Sequence, residues 1–264
     1  MPTAVPIFVI SRNRALYLWA SLDSLYKYTK YPHHFVFGDN GSDEPLVHQV
    51  IEGFSRRGMF SRTLLREEND PDLLEILLEQ NQDLLGSYFV FVESDVMVFP
   101  QDPCWLTRFV QLMDADPALA MLGAFIDQTD FVDPARAREL ASELSESQLE
   151  FLIKAKSPER NLSKAGKKVI TPDSTCPNPP GRLVIYRTEI IQRLFNLKVR
   201  HLTDSSWHKA IVTAGYKTGI ATDVCHRHLS LLNFYDYPAY SEQTRDWYFR
   251  RRPREYAGDH GSGV

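Results

Sequence analysis

At 264 residues the chain is long enough for one sizeable core, with room for a small appendage. A net charge of −4 with both signs interspersed gives no electrostatic case for nucleic acid as the principal partner, and no apolar run approaches the ~20 residues that a bilayer span requires. Cys104, Cys176 and Cys225 are too widely spaced for a zinc motif or a disulfide framework. With an N-terminus lacking the basic n-region of a signal peptide, they set the expectation of a reduced, cytoplasmic protein.

Val5–Ile10 reads as a buried strand and Ser11-Arg12-Asn13-Arg14 as the polar turn that follows it. Over residues 15–28 the stripe Ala15, Leu18, Leu22, Leu25 has the helical period. Phe35-Val36-Phe37 is a second short strand, and Gly38-Asp39-Asn40-Gly41-Ser42-Asp43 after it is a dense turn signal. Val47, Val50, Ile51 and Phe54 make the next helical face, stopped at Arg57-Gly58. Thr63–Arg66 is a candidate third strand, residues 72–85 a Leu-rich helix closed by Gly86, and Tyr88–Val92 a fourth strand. A helix through Trp105, Phe109 and Met113 precedes a strand at Leu119–Phe125. Strands alternating with helices in this way predict an α/β fold, a mostly parallel sheet covered on both faces.

The fourth strand ends in Glu93-Ser94-Asp95. On an extended backbone residues two apart point the same way, and ligands of open α/β sheets collect outside the carboxyl ends of the strands. Apolar runs on both sides make two embedded charges costly unless a counter-charge or metal meets them. Two hard oxygen donors there suit Mg²⁺ or Mn²⁺ held together with a substrate phosphate.

Residues 127–180 interrupt the alternation, with a charged helix near 134–155, then Lys164–Lys168 and the loop Cys176-Pro177-Asn178-Pro179-Pro180-Gly181. An insertion of this size predicts an active-site cover or a substrate-recognition element. A strand resumes at Arg182–Tyr186, helices follow near 188–196 and 204–214, and a last strand, Thr218–Val224, leads into Cys225-His226-Arg227-His228. If that strand continues, His226 and His228 share a face.

Four segments in order resemble the GT-A glycosyltransferases, most closely their family 2. Pro6–Arg14 looks like the opening strand with its "P-T-x-N-R" turn, and Asp39-Asn40-Gly41-Ser42-Asp43 is similar to the "D-[DN]-[GS]-S-x-D" turn. Glu93-Ser94-Asp95 stands at the D-x-D position, with Glu for the first Asp. Thr203–Trp207 through Ala214-Gly215-Tyr216 to His228 looks like the "E-D-x-D-L … A-G-Y … H" block, with Thr203 and Ser206 replacing two of its three carboxylates. The resemblance covers residues 5–230 and implies one GT-A-like catalytic domain over 1–244. Within it, 1–126 is the nucleotide-sugar half, 127–180 the insertion and 181–244 the acceptor-side half; 245–264 is a basic-aromatic tail.

The resemblance further implies a metal-dependent transferase that moves a sugar from a nucleotide-sugar, expected to be UDP-linked, to a glycan or glycoconjugate. Its implied donor-binding set is Ser11, Arg12, Asn13, Arg14, Asp39, Asn40, Glu93, Ser94 and Asp95. Asp39 would accept the uracil N–H, or serve only as an Asx-turn capping the next helix. Asp95 and His228 would hold Mn²⁺ or Mg²⁺, with His226 the second choice. Asp204 would be the general base of an inverting reaction, or simply a helix N-cap. The Arg-rich tail Arg245–Arg254 is a candidate for peripheral contact with the inner face of a membrane. Two other classes remain open. A sugar nucleotidyltransferase would ordinarily carry a Gly-rich loop after the first strand, and Ser11–Ala15 has no glycine. A non-catalytic nucleotide-sugar-binding module would account for the depleted acids around Asp204.

Overall fold

A computed structural model of the chain describes residues 3–127, 166–173, 178–196 and 204–229, with isolated positions between 135 and 147. Among them run β1 (Val5–Ser11), α1 (Ala15–Tyr28), β2 (His33–Asn40), α2 (Pro45–Arg56), β3 (Phe60–Arg66), α3 (Leu73–Gln80), β4 (Tyr88–Glu93) and β5 (Val96–Val98). Next come α4 (Trp105–Ala115), β6 (Leu119–Ile126), β7 (Val169–Ile170), β8 (Leu183–Arg187), α5 (Thr188–Asn196), α6 (Asp204–Thr213) and β9 (Lys217–His228). The tail 245–264 and most of the 127–180 insertion lie outside the described residues.

The strands form one mixed sheet in the order β3-β2-β1-β4-β8-β6-β9-β5, with β7 beside β9. The first four in that order are mutually parallel. β8 runs against both β4 and β6, and β5 against β9. The alternation along β1 explains the layering. Ile7 and Val9 pack with Leu18, Leu22, Ile51, Phe54 and Phe109 from α1, α2 and α4. Phe8 points the other way, to a cluster containing Leu73, Leu77, Ile190 and Trp207 from α3, α5 and α6. A sheet buried on both faces needs near-continuous apolar strands, and β6 is buried at every position.

The sheet is curled by necessity. β4 and β5 stand four strand spacings apart in the order, about 19 Å if the sheet were flat. They are joined only by Ser94 and Asp95, which reach at most about 10 Å. The middle strands therefore bend round so that β5 lies back against the end of β4.

Three elements depart from the periodicity reading. The helix expected over 72–85 ends at Gln80 and continues as a single 3₁₀ turn, Gln82–Leu84. Asn81 supplies the reason: its side-chain amide donates to the Leu77 carbonyl at 2.7 Å, taking an acceptor that helix continuation would use. β5 and β7 are strands that the pattern did not separate from their surroundings. β9, by contrast, runs on to His228, so His226 and His228 do share a face.

Candidate active site

The parallel register brings the ends of β2, β1 and β4 into line, with Ser11 opposite Asp39 and Ile10 opposite Glu93. The turns after β1 and β2 are bound into one unit. Asn13 and Arg14 both adopt left-handed backbone (φ 55° and 60°). Asn13 donates its N–H to Ser42 Oγ at 2.7 Å and its side-chain amide to Asp43 Oδ1 at 2.7 Å. Its side-chain oxygen accepts the N–H groups of Asp43 and Glu44 at 3.0 and 3.2 Å. The Glu44 carboxylate accepts the Arg14 N–H at 2.8 Å and the Ala15 N–H at 3.4 Å. A carboxylate from the second turn thus caps α1 and neutralises the positive end of its dipole.

Asp39 is buried and accepts the Ser42 N–H at 2.9 Å and the Ser42 hydroxyl at 2.6 Å. The turn-forming role considered for it is therefore present, and the carboxylate keeps lone pairs beyond these two bonds. Beside it, the Ser11 hydroxyl is buried with no partner among the described residues. Asn40 exchanges both ends of its amide with the backbone of Asp70, at 3.1 and 2.7 Å, so it holds the loop before α3. Arg12 is exposed.

Asp95 lies not on a strand but in the two-residue link between β4 and β5. Glu93 and Asp95 do converge, yet through this turn rather than through strand alternation. β5 pairs Val96 with His228 and Val98 with His226, and the Leu229 N–H donates to the Asp95 carbonyl at 2.8 Å. This pairing seats His228 Nε2 3.2 Å from Asp95 Oδ2. The ligand atoms of Glu93, Asp95 and His228 lie within 4.8 Å of one another. Two carboxylates and an imidazole are a donor set suited to Mn²⁺ or Mg²⁺. Asp95 Oδ1 is buried with no partner among the described residues, an orphaned acceptor of the kind a cation satisfies. The residues fit a divalent cation.

Arg14 Nη1 reaches Asp95 Oδ2 at 3.1 Å. Burial acts to raise the Asp95 pKa, but His228, Arg14 and Arg182 outweigh it and hold the carboxyl well below the usual range. Arg182 is the residue that sequence reasoning missed. Its carbonyl accepts the Glu93 N–H at 2.8 Å, because β8 runs antiparallel beside β4 and starts where β4 ends. Its charge acts on both Asp95 and His226. The sequence pattern opens a strand at Arg182, but nothing local pairs that strand with β4 and so brings Arg182 beside Glu93 and Asp95.

His226 is completely buried and stands outside the ligand cluster. Burial drives its pKa well below the ordinary histidine value, and the charges of Arg182 and His228 push the same way. Asp204 opens α6, but its side chain falls outside the described residues, and with it the general-base expectation.

No helix among the described residues is long and apolar enough to cross a membrane. No curated protein matches the sequence. Among solved structures, the chain is similar to the mannosyltransferase PcManGT from Pyrobaculum calidifontis in complex with GDP-Man and Mn²⁺, at 18% identity and a TM-score of 0.57. It is similar also to GalNAc-T7 with UDP, GalNAc and Mn²⁺, at 12% identity and a TM-score of 0.58. Each likeness covers 86% of this chain but only 56% and 44% of those chains, so the chain spans about half their length. At such identities the likeness establishes the fold, that of the GT-A glycosyltransferases, a curled and mostly parallel sheet flanked by helices. Residues 7–195 match the sequence family Glycosyl transferase family 2, and the chain belongs to that family.

Proposed function

We propose that the chain is a metal-dependent glycosyltransferase that moves a sugar from a nucleotide-sugar to a glycan or glycoconjugate acceptor. The observation that carries this reading is the convergence of Glu93, Asp95 and His228 at the strand ends that also present Asp39, Ser11 and Arg14. Family membership and the Mn²⁺ complexes of the structural neighbours support it.

Glu93, Asp95 and His228 would hold Mn²⁺ or Mg²⁺. Such a cation supplies Lewis-acid stabilisation of charge on the departing diphosphate. The protein's own groups carry the rest. Asp39 accepts a base N–H with the lone pairs left over from Ser42, the N3–H in the case of uracil. The buried Ser11 hydroxyl gains a polar partner from the same nucleoside. Arg14 and Arg182 contribute positive charge to the diphosphate. Asp204, at the start of α6, takes the proton of the acceptor hydroxyl in an inverting displacement, and 127–180 borders the acceptor. One catalytic domain over 1–244, a cytoplasmic setting and membrane contact through 245–264 complete the proposal.

The deciding experiment is a panel of UDP- and GDP-sugars screened for donor hydrolysis with Mn²⁺, with Mg²⁺ and with chelator. Metal-stimulated hydrolysis that disappears in Asp95→Asn supports the reading. Metal-dependent UDP binding without turnover of any donor would point to a binding module instead. Formation of a nucleotide-sugar from a sugar phosphate and a nucleoside triphosphate would point to a nucleotidyltransferase.

A further inference from the structure

The two oxygens of Asp95 face different surroundings. Oδ2 meets two side-chain nitrogens, Arg14 Nη1 at 3.1 Å and His228 Nε2 at 3.2 Å, while Oδ1 is buried with no partner among the described residues. The two neighbours differ in freedom. The His228 side chain is 9% exposed and is fixed by the β5–β9 pairing, whereas the Arg14 side chain is 42% exposed. The root of Arg14 is nevertheless immobilised. Its left-handed backbone is held by Glu44, and Asn13 before it is bonded to Ser42, Asp43 and Glu44. A fixed root with a half-exposed tip restricts motion to the side-chain torsions, and the guanidinium can change partner without disturbing the fold.

A divalent cation on Asp95 would lie close to that guanidinium, and like charges at such a separation repel strongly away from bulk water. The ion pair it displaces is cheap to break, because one member is half-exposed. A diphosphate brought in beside the same carboxylate offers the guanidinium a bidentate alternative.

We infer that Arg14 is an exchangeable counter-ion of Asp95, moving its guanidinium from the carboxylate to the diphosphate as a divalent cation takes the carboxylate. The inference rests on the metal and diphosphate reading above and adds a consequence to it. Metal and nucleotide bind with positive coupling, and linkage makes that coupling reciprocal. The cation alone competes with Arg14 and binds weakly; the nucleotide removes the competitor.

The test is calorimetric titration of Mn²⁺ into the full chain, alone and with saturating UDP or GDP, for wild type, Arg14→Asn and Arg14→Lys. Asparagine tolerates the left-handed backbone at this position, and circular dichroism verifies that each variant is folded. Arg14→Asn is expected to bind Mn²⁺ alone about five-fold tighter, the upper range for a half-exposed ion pair, and to lose most of the gain that nucleotide gives wild type. Arg14→Lys, which retains the charge, should stay near wild type in the metal-only titration. A folded Arg14→Asn that binds Mn²⁺ alone no tighter than wild type, or whose nucleotide-induced gain is unchanged, overturns the exchange while leaving the metal reading intact. Wild type that takes up no Mn²⁺ even with nucleotide overturns the metal reading, and the exchange with it.

Discussion

Replacing Gly41 with alanine should both destabilise the protein and disable the nucleotide end of the site. Gly41 adopts φ +70°, and a Cβ placed on it would lie 2.6 Å from the Glu68 carbonyl carbon and 2.9 Å from the Asn69 nitrogen. Both are backbone atoms of the loop that Asn40 ties down through Asp70, so neither yields cheaply. Gly58 provides an internal control, with the same φ of +70° and nothing within 4 Å of an added methyl group. Gly58→Ala bears only the left-handed backbone penalty, about 1 kcal/mol. Gly41→Ala adds an overpacking cost, for a total of about 3 kcal/mol. In a domain of this size that difference separates the melting temperatures by about 4–8 °C. Urea unfolding and thermal scans of the two variants give the comparison, and UDP titration of Gly41→Ala reports the functional effect, since Asp39 and Ser42 flank the glycine. Equal destabilisation within about 0.5 kcal/mol would refute the steric reasoning.

Other outcomes follow from the same geometry. His226 has a folded pKa pushed down by burial, so the native state keeps it neutral while the unfolded chain takes up a proton near 6.5. Stability is therefore retained above about pH 6.5 and lost below it, by about 1.4 kcal/mol between pH 7.5 and 5.5. Chemical denaturation in chelator should show a loss larger by about this amount in wild type than in His226→Leu, which keeps the smaller contribution of the half-buried His33; identical pH profiles would exclude the assignment. His228→Ala should weaken Mn²⁺ binding and nucleotide binding together by about 10–100-fold, which equilibrium titration measures, and unchanged affinities would remove it from the site. Asp204→Asn should preserve Mn²⁺ and UDP affinity while lowering kcat by at least about 100-fold; wild-type turnover would leave Asp204 as a helix start alone.

What the sequence could disclose was whatever depends on neighbours along the chain. The apolar runs of β1, β4 and β6, the stripe of α1 and the turn signal at Gly38–Asp43 each reflect local burial and local backbone demands. The motif order led to the same α/β architecture, and to Asp95 and His228, which the structure sets 3.2 Å apart. What stayed hidden was pairing. Val96–Val98 looks like the continuation of an apolar run, and only its antiparallel register with Arg227 and His228 makes it a strand at the far sheet edge. Arg182 escaped for the same reason, since its relevance depends on β8 lying against β4. Asn40 shows the same limit from the other side: its place in a motif says nothing of the two hydrogen bonds by which its amide holds the backbone of Asp70, 30 residues on.

The two-residue link at Ser94-Asp95 also bears on the order in which the molecule is assembled. β1 to β4, with the helices between them, are complete once residue 93 has left the ribosome, and their parallel pairing can begin during synthesis. The three side chains of the proposed metal site have no such early existence as a group, because His228 is made 133 residues after Asp95 (228 − 95). Until β9 docks between β6 and β5, Glu93 and Asp95 are two neighbouring acids without their imidazole. Metal affinity is thus a late reporter of folding. A nascent chain arrested short of β9 should show the protease resistance of its first strands yet fail to retain Mn²⁺, and the ability to retain it should arrive in a single step with the last strand.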